Sequence, residues 1–266
     1  MQIRLGCSFR YHLPNRTPMV FIVQPCEYDR HTLRDEVRRI TPSIPIEAYL
    51  DAFGNRAWRF VAPAGTLEVS YDALAEMPPT PDLTFPDLPQ TPVEALPYDV
   101  LTYMLPSRYC ESDLFADDAW TRFGAAPAGS ACVQAICAWI TSNITYRPGS
   151  TSQTSGLQAY QQRRGVCRDF AHIAISFCRA LNIPARYVSG YLPDNAIPAN
   201  LTPMDFHAWF EAYLDGAWYT FDARYPSPQI GRVVIGRGRD AADVALTTSY
   251  GVSELLSMQV WATEVA

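Results

Sequence analysis

Seven prolines fall between Pro78 and Pro97, set among Thr, Asp and Leu. A proline fixes φ and has no backbone N–H to donate, so neither a helix nor a central strand runs through such a stretch. The run predicts a linker over 78–97 that separates a small β-rich domain, residues 1–77, from a second domain, residues 98–266. A chain of 266 residues is long enough for two such parts to bury cores. Before the linker, IRLGCSFRYH, MVFIVQP, IEAYLDAF, AWRFVAP and LEVSYDA are short β-rich runs broken by Pro, Gly and Asn, and Phe53-Gly54-Asn55 predicts a hairpin turn. After it, helical spacing takes over in VLTYMLPSRYC, DDAWTRF and SACVQAICAWITSNI, where Val133, Ile136, Ile140 and Ile144 recur on one face. TSGLQAYQQRRG and the run from Arg163 to Pro184 continue the helices. Beyond Pro184 the pattern is that of strands, in ARYVSGYL, FHAWFEAYL, AWYTFDAR, RVVIG and LLSMQVWATEV. Helices followed by antiparallel strands predict α+β for the second domain.

The helix predicted from Val166 to Leu181 carries an apolar stripe of Val166, Phe170, Ile173, Phe177 and Leu181. Cys167, Ala171, Ala174 and Cys178 form a second stripe whose small residues permit close packing. The remaining face holds Arg168, His172, Ser176 and Arg179, the composition of a solvated surface, so His172 is expected at the surface. Cys167 occupies the first turn, where free N–H groups and the positive end of the helix dipole favour an anion. Cys178 lies about three turns further on and gains nothing from that field. By position alone Cys167 is either a buried structural thiol or a nucleophile, and a partner base decides between them. The seven cysteines are odd in number, irregularly spaced and lack a CxxC pair, so most are expected to be small apolar fillers and a structural zinc site is not expected.

Four histidines are present. His12 and His31 lie in the β-rich part and are expected to be ordinary surface residues. His207 opens FHAWFEAYL, in which Phe206, Ala208, Phe210, Ala212 and Leu214 form a core face and His207, Trp209, Glu211 and Tyr213 share the other. Asp215-Gly216 then signals a two-residue hairpin. That turn sets Leu214 opposite Ala217, Tyr213 opposite Trp218, Glu211 opposite Thr220 and His207 opposite Arg224. Asp222 falls diagonal to His207 at roughly 7–8 Å, within reach of an imidazole–carboxylate contact. A carboxylate there fixes the tautomer of His207 and stabilises its charged form, the third role in a nucleophile–base–orienter set. Glu211 is a second candidate orienter, but four residues along one strand place it roughly 13 Å from His207. The ordinary alternatives are a strand histidine beside Trp209 and an Asp222 that pairs with Arg224.

The stretches GVCRDFAHIAISFCRALNIPARYVSGY, FHAWFEAYL and YTFDAR, in that order, resemble the transglutaminase-like superfamily, and its bacterial cysteine-peptidase branch in particular. The resemblance runs from about Tyr98 to the end; LPSRYC and GRGRDAADVALTTSYG strengthen it, and the β-rich first part is similar to the domain that often precedes this core. It implies a papain-like fold, with a nucleophile helix packed on an antiparallel sheet, and it implies Cys167 as nucleophile, His207 as general base and Asp222 as orienting acid. Many members follow the acid with Pro-Thr, where this chain has Ala223-Arg224, and that leaves substrate choice open.

The chemistry so implied is a thioester formed at Cys167 and resolved by water, making a peptide or isopeptide amide hydrolase, or by a lysine amine, making a crosslinking transglutaminase; a catalytically silent interaction module is the third reading. Cys167 N–H is the expected oxyanion donor. No cofactor is expected, and no EF-hand loop is present to bind calcium. A net charge of −6 without a Lys/Arg run argues against nucleic acid and anionic membranes and for a protein or peptide substrate. The absence of a long apolar run predicts a cytoplasmic location. IGRGRD lacks the strand–loop–helix setting of a phosphate loop. Tyr160, Trp209 and Tyr225 either line a cleft or pack in the core.

Overall fold

A computed structural model describes residues 1–26, 30–83, 87–193 and 204–265; residues 84–86 of the predicted linker lie outside the described residues. The β-rich part carries β1 (Gln2–Leu13), β2 (Thr17–Phe21), β3 (Thr32–Thr41), β4 (Glu47–Leu50), β5 (Arg56–Ala62) and β6 (Gly65–Glu76). Alternation decides which faces meet. β1 buries Ile3, Leu5, Cys7, Phe9, Tyr11 and Leu13, and β6 buries Leu67, Val69, Tyr71, Ala73 and Ala75. The two strands pair antiparallel over their whole length, from Gln2 opposite Glu76 to Leu13 opposite Gly65. Phe9 meets Phe21 edge-on at 5.8 Å, and Trp58 meets Tyr71 at 6.0 Å, which closes one sheet on another. The Phe53-Gly54-Asn55 turn joins β4 to β5, with Gly54 at φ 80° and Asp51 accepting from the N–H groups of Phe53 and Asn55.

The helices are α1 (Ala116–Phe123), α2 (Ser130–Asn143), α3 (Gly156–Gln162) and α4 (Cys167–Ala180), with two short strands, β7 (Thr145–Tyr146) and β8 (Arg164–Gly165), pairing in parallel beside them. The helix expected in VLTYMLPSRYC is a single 3-10 turn, Leu101–Met104. Leu105 precedes Pro106 and is extended at ψ 149°, as the proline ring demands, so the turn cannot propagate. Then come β9 (Ala185–Tyr191), β10 (His207–Leu214), β11 (Ala217–Phe221) and β12 (Val233–Gly238), in the order β11-β10-β9-β12. Asp215 and Gly216 turn β10 into β11 with φ of 46° and 78°, the doubly positive pair of a tight hairpin.

The last two strands, β13 (Thr247–Ser249) and β14 (Glu254–Val265), do not join that sheet. β13 pairs with β2, and β14 pairs with β1, so the sheets read β13-β2-β5-β4 and β14-β1-β6-β3. The terminal strand expected with the second part of the chain thus completes a sheet of the first, and β13, for which the sequence predicts no strand, completes the other. Asn55, fully buried, adds a further tie: its amide accepts from Arg237 N–H and donates to Arg237 O in β12, both at 2.8 Å. No helix among the described residues is long and apolar enough to cross a membrane.

The helix α4 is enclosed on every side. Asp169 through Arg179 are all buried, including His172, Ser176 and Arg179 of the face that the sequence assigns to solvent; Arg168 of that face is partly exposed. His172 is fully buried, not at the surface. His172, Ser176 and Arg179 each make at least one hydrogen bond within the fold. His172 lies flat on Tyr109 at 5.2 Å, and its Nε2 accepts from Ala241 N–H at 3.2 Å. Ser176 donates to His172 O, and Arg179 donates to the carbonyls of Leu105, Ala185 and Arg239.

Candidate active site

Local chemistry holds the start of α4 in place. The Asp169 carboxylate turns back to accept from Val166 N–H at 2.8 Å and is also bound by Ser150 Oγ and by Arg168 at 3.2 Å. Gly165 is required by this arrangement: a Cβ there would sit 2.6 Å from Asp169 Cβ. Cys167 is therefore presented as the first helical residue, partly exposed, while the described cysteines elsewhere are buried. Its Sγ lies 4.0 Å from Phe206 O, at the entry to β10.

His207 is the first residue of β10. Its Nε2 faces Asp222 Oδ2 at 2.7 Å, which leaves the other ring nitrogen for the thiol side. Asp222 lies one residue beyond the end of β11, where the ladder has stopped at Phe210 opposite Phe221. Freed from the ladder, its Oδ1 accepts from the N–H groups of Arg224 and Tyr225 at 2.8 and 3.0 Å, and Oδ2 accepts from Arg232 Nη2 at 2.9 Å. Tyr225 and Trp209 flank the imidazole at 5.3 and 6.0 Å.

Burial alone would pull the His207 imidazolium down, but the charge and hydrogen bond of Asp222, with the Cys167 thiol adding to them, outweigh it and bring His207 to about 9. Burial likewise opposes the Asp222 charge, yet His207, Arg232 and the Tyr225 N–H hold its carboxyl well below the usual carboxylate range. The buried cysteines behave oppositely. Desolvation pushes Cys7 and Cys110 up to about 12 and Cys178 well above the ordinary thiol value, so Cys178 is inert.

A sequence profile of the transglutaminase-like superfamily matches residues 119–223, a span that contains Cys167, His207 and Asp222. The crystal structure of a candidate cysteine protease from Cytophaga hutchinsonii is 36% identical and superposes with a TM-score of 0.88, covering 98% of this chain and 90% of that one. The chain belongs to the transglutaminase-like superfamily. An uncharacterised Mycobacterium leprae protein is 39% identical over 117 residues, 42% of each chain. An uncharacterised Mycobacterium tuberculosis protein is 37% identical over 115 residues, 40% of this chain and 37% of its own. The matched stretch thus spans less than half the length of these curated relatives.

In this transglutaminase-like chain the other predicted positions resolve as follows. The hairpin register matches residue for residue from Leu214 opposite Ala217 to Glu211 opposite Thr220. Glu211 is no orienter: it sits between Arg186 and Arg237, at 2.5 and 3.0 Å, and balances one half-buried and one buried guanidinium group. Arg224 does not pair with the Asp222 carboxylate through its side chain; its guanidinium lies over Tyr146 at 3.7 Å. His12 is exposed as expected, whereas His31 is buried at 6% exposure. Among the described residues, no group of three or more His, Cys, Asp or Glu is arranged to hold a metal ion.

Sequence reasoning missed Arg232. It precedes β12 without any acidic neighbour in sequence, and its partners are Asp222 and, at 2.7 Å, Asp82 of the proline-rich stretch. A cavity of about 280 Å³ adjoins this group, lined by Asp82, Leu83, Asp222, Tyr225 and Arg232 among others. Cys167 is not among its lining residues, so it opens on the carboxylate side of His207.

Proposed function

We propose that this member of the superfamily hydrolyses peptide or isopeptide amide bonds through Cys167, His207 and Asp222. The observation that carries the reading is the placement of His207 between a partly exposed thiol at a helix start and a buried, ionised carboxylate. In that setting the Cys167 proton passes to His207, giving a thiolate and an imidazolium. The thiolate attacks the amide carbonyl carbon, and Cys167 N–H, at the start of α4, stabilises the oxyanion. The C–N bond then breaks as the imidazolium donates its proton to the leaving amine, which leaves a thioester on Cys167. Neutral His207 next takes a proton from water as the water oxygen attacks the thioester. The C–S bond then breaks, the acid departs, and His207 returns its proton to the released Cys167 thiolate. Throughout, Asp222 keeps the imidazole oriented and its charged form favoured.

The expected substrate is a protein or peptide, in keeping with a chain of net charge −6 that has no run of Lys or Arg. Transfer of the acyl group to a lysine amine would use the same three residues, so the acceptor must be measured. A peptidyl chloromethylketone is expected to label Cys167, mapped by mass spectrometry, and to lose that labelling in His207→Ala. Peptide and isopeptide substrates, incubated with and without added amine, are expected to release free acid without amine incorporation. Labelling of Cys167 at the wild-type rate in His207→Ala would refute the catalytic reading, and dominant amine incorporation would replace the hydrolase by a transferase.

A further inference from the structure

The carboxylate behind His207 is held from the proline-rich stretch. Arg232 lies just before β12 with its side chain only 6% exposed. Its Nη2 donates to Asp222 Oδ2 at 2.9 Å and its Nε to Asp82 Oδ2 at 2.7 Å, so one planar guanidinium bridges two carboxylates. Trp209 lies under that guanidinium, 4.9 Å from ring centroid to carbon, and beside the His207 ring, so the bridge has little room to tilt. Gly190 makes space for the indole: a Cβ at that position would lie 2.6 Å from Trp209 Cη2. Asp82 is fixed in turn by backbone pairing. Its N–H donates to Gln229 O at 2.8 Å, and its Oδ2 accepts from Gln229 N–H at 3.1 Å.

We propose that Asp82 is a positioning residue of the site, which acts through Arg232 on the Asp222–His207 pair, so that the proline-rich stretch is a working part of the catalytic apparatus. The catalytic meaning of this rests on the function proposed above; the geometry stands by itself. Asp222 Oδ2 is shared between an imidazole and a guanidinium, and the Arg232 charge competes with His207 for it. Asp82 neutralises part of that charge. Without it, Arg232 bears fully on Asp222, and the imidazolium form of His207 is less favoured. The other titratable groups that face the pair are Cys167 from α4, Cys137 from α2, Asp205 before β10 and Tyr225 after β11. None of these is altered by a substitution at Asp82.

The test is an NMR titration of the His207 imidazole in the full chain as wild type, Asp82→Asn and Asp82→Glu. Asp82 lies within roughly 10 Å of the ring along its contacts, so loss of its charge should lower the His207 midpoint by roughly half to one pH unit. Asp82→Glu should restore the wild-type midpoint, and the alkaline limb of kcat/KM should move with it. A strap with a merely structural role would lower the melting temperature of Asp82→Asn and leave the midpoint where it was, and that result overturns the inference. Failure of the catalytic reading is seen separately: Cys167 would be labelled at the same rate in wild type and in His207→Ala, whatever the midpoint does.

Discussion

Replacing Asp222 by Asn tests the central electrostatic claim, because it keeps the size and outline of the side chain, removes its charge and puts a donating amide NH2 where one of the two accepting oxygens stood. In the folded protein His207 titrates at about 9 although burial alone would place it below its ordinary value of 6.5. With the Asp222 charge gone, the midpoint should fall by roughly the difference, about 2.5 pH units, which corresponds to about 3.4 kcal/mol at 1.36 kcal/mol per unit. The alkaline limb of kcat/KM reports the imidazolium needed to protonate the leaving amine in the free enzyme. At pH 8 the charged fraction should drop from about 90% to about 3%, a loss of about 30-fold. Near pH 5.5 the loss from this cause should be no more than a few-fold. A kcat/KM profile from pH 5 to 10 on a peptide amide, with an NMR titration of the ring, measures both. An alkaline limb that stays near pH 9 in Asp222→Asn would refute the argument.

Stability should follow the same proton. Between about pH 6.5 and 9 the native chain holds a proton on His207 that the unfolded chain has released, so stability falls as pH rises through this window. The contribution is fully present below 6.5 and absent above about 9, for as long as Asp222 stays ionised. Asp222, whose folded value is depressed, contributes above its ordinary value of 3.8 and loses that contribution as the pH falls below it. Wild type should therefore exceed Asp222→Asn most between about pH 4 and 6.5, as read from urea midpoints.

Three further substitutions probe the scaffold. Gly165→Ala drives a methyl into Asp169, which its partners prevent from moving aside; it should cost about 2 kcal/mol and slow labelling of Cys167, read by thermal melts and probe kinetics. Arg179→Met leaves the carbonyls of Leu105, Ala185 and Arg239 without their donors and should lower the urea-derived stability by about 3 kcal/mol. Cys178→Ala, at a fully buried thiol, should change probe labelling of Cys167 by less than twofold while costing about 1 kcal/mol in the same melts.

The parts of this fold legible in the sequence are those whose partners lie close along the chain. The β10–β11 hairpin is one: Asp215-Gly216 fixes the turn, period two fixes the face, and counting gives the register as far as Phe210 opposite Phe221; the counted pairing of His207 with Arg224 does not form, and Asp222, just past the ladder, closes on His207. The start of α4 is another, since Gly165, Cys167 and Asp169 act on one another within a single turn. The return of β13 and β14 to the first sheets had no such signal. An alternating strand shows that it needs a neighbour and leaves open which one, and β1 supplied an edge about 250 residues away.

The polar face of α4 shows why composition misleads at a centrally packed helix. Arg168, His172, Ser176 and Arg179 read as solvent-facing because polar side chains generally remain in water. Burial is tolerable here because loops bring unpaired backbone groups to meet them: Arg179 alone serves carbonyls 74, 6 and 60 residues away in sequence. The same holds for Arg232, whose partners lie 150 and 10 residues distant. An orienting carboxylate as deeply buried as Asp222 must be supplied with donors, since an ionised group without them would protonate and lose its hold on His207. The backbone N–H groups of Arg224 and Tyr225 are local, but the cation that balances the charge comes from beyond the hairpin, and the acid that fixes the cation comes from the proline-rich stretch. His207 and Asp222 thus hold much of each other's charge within one hairpin, and the cation that completes the balance, with the acid that fixes it, comes from distant parts of the chain.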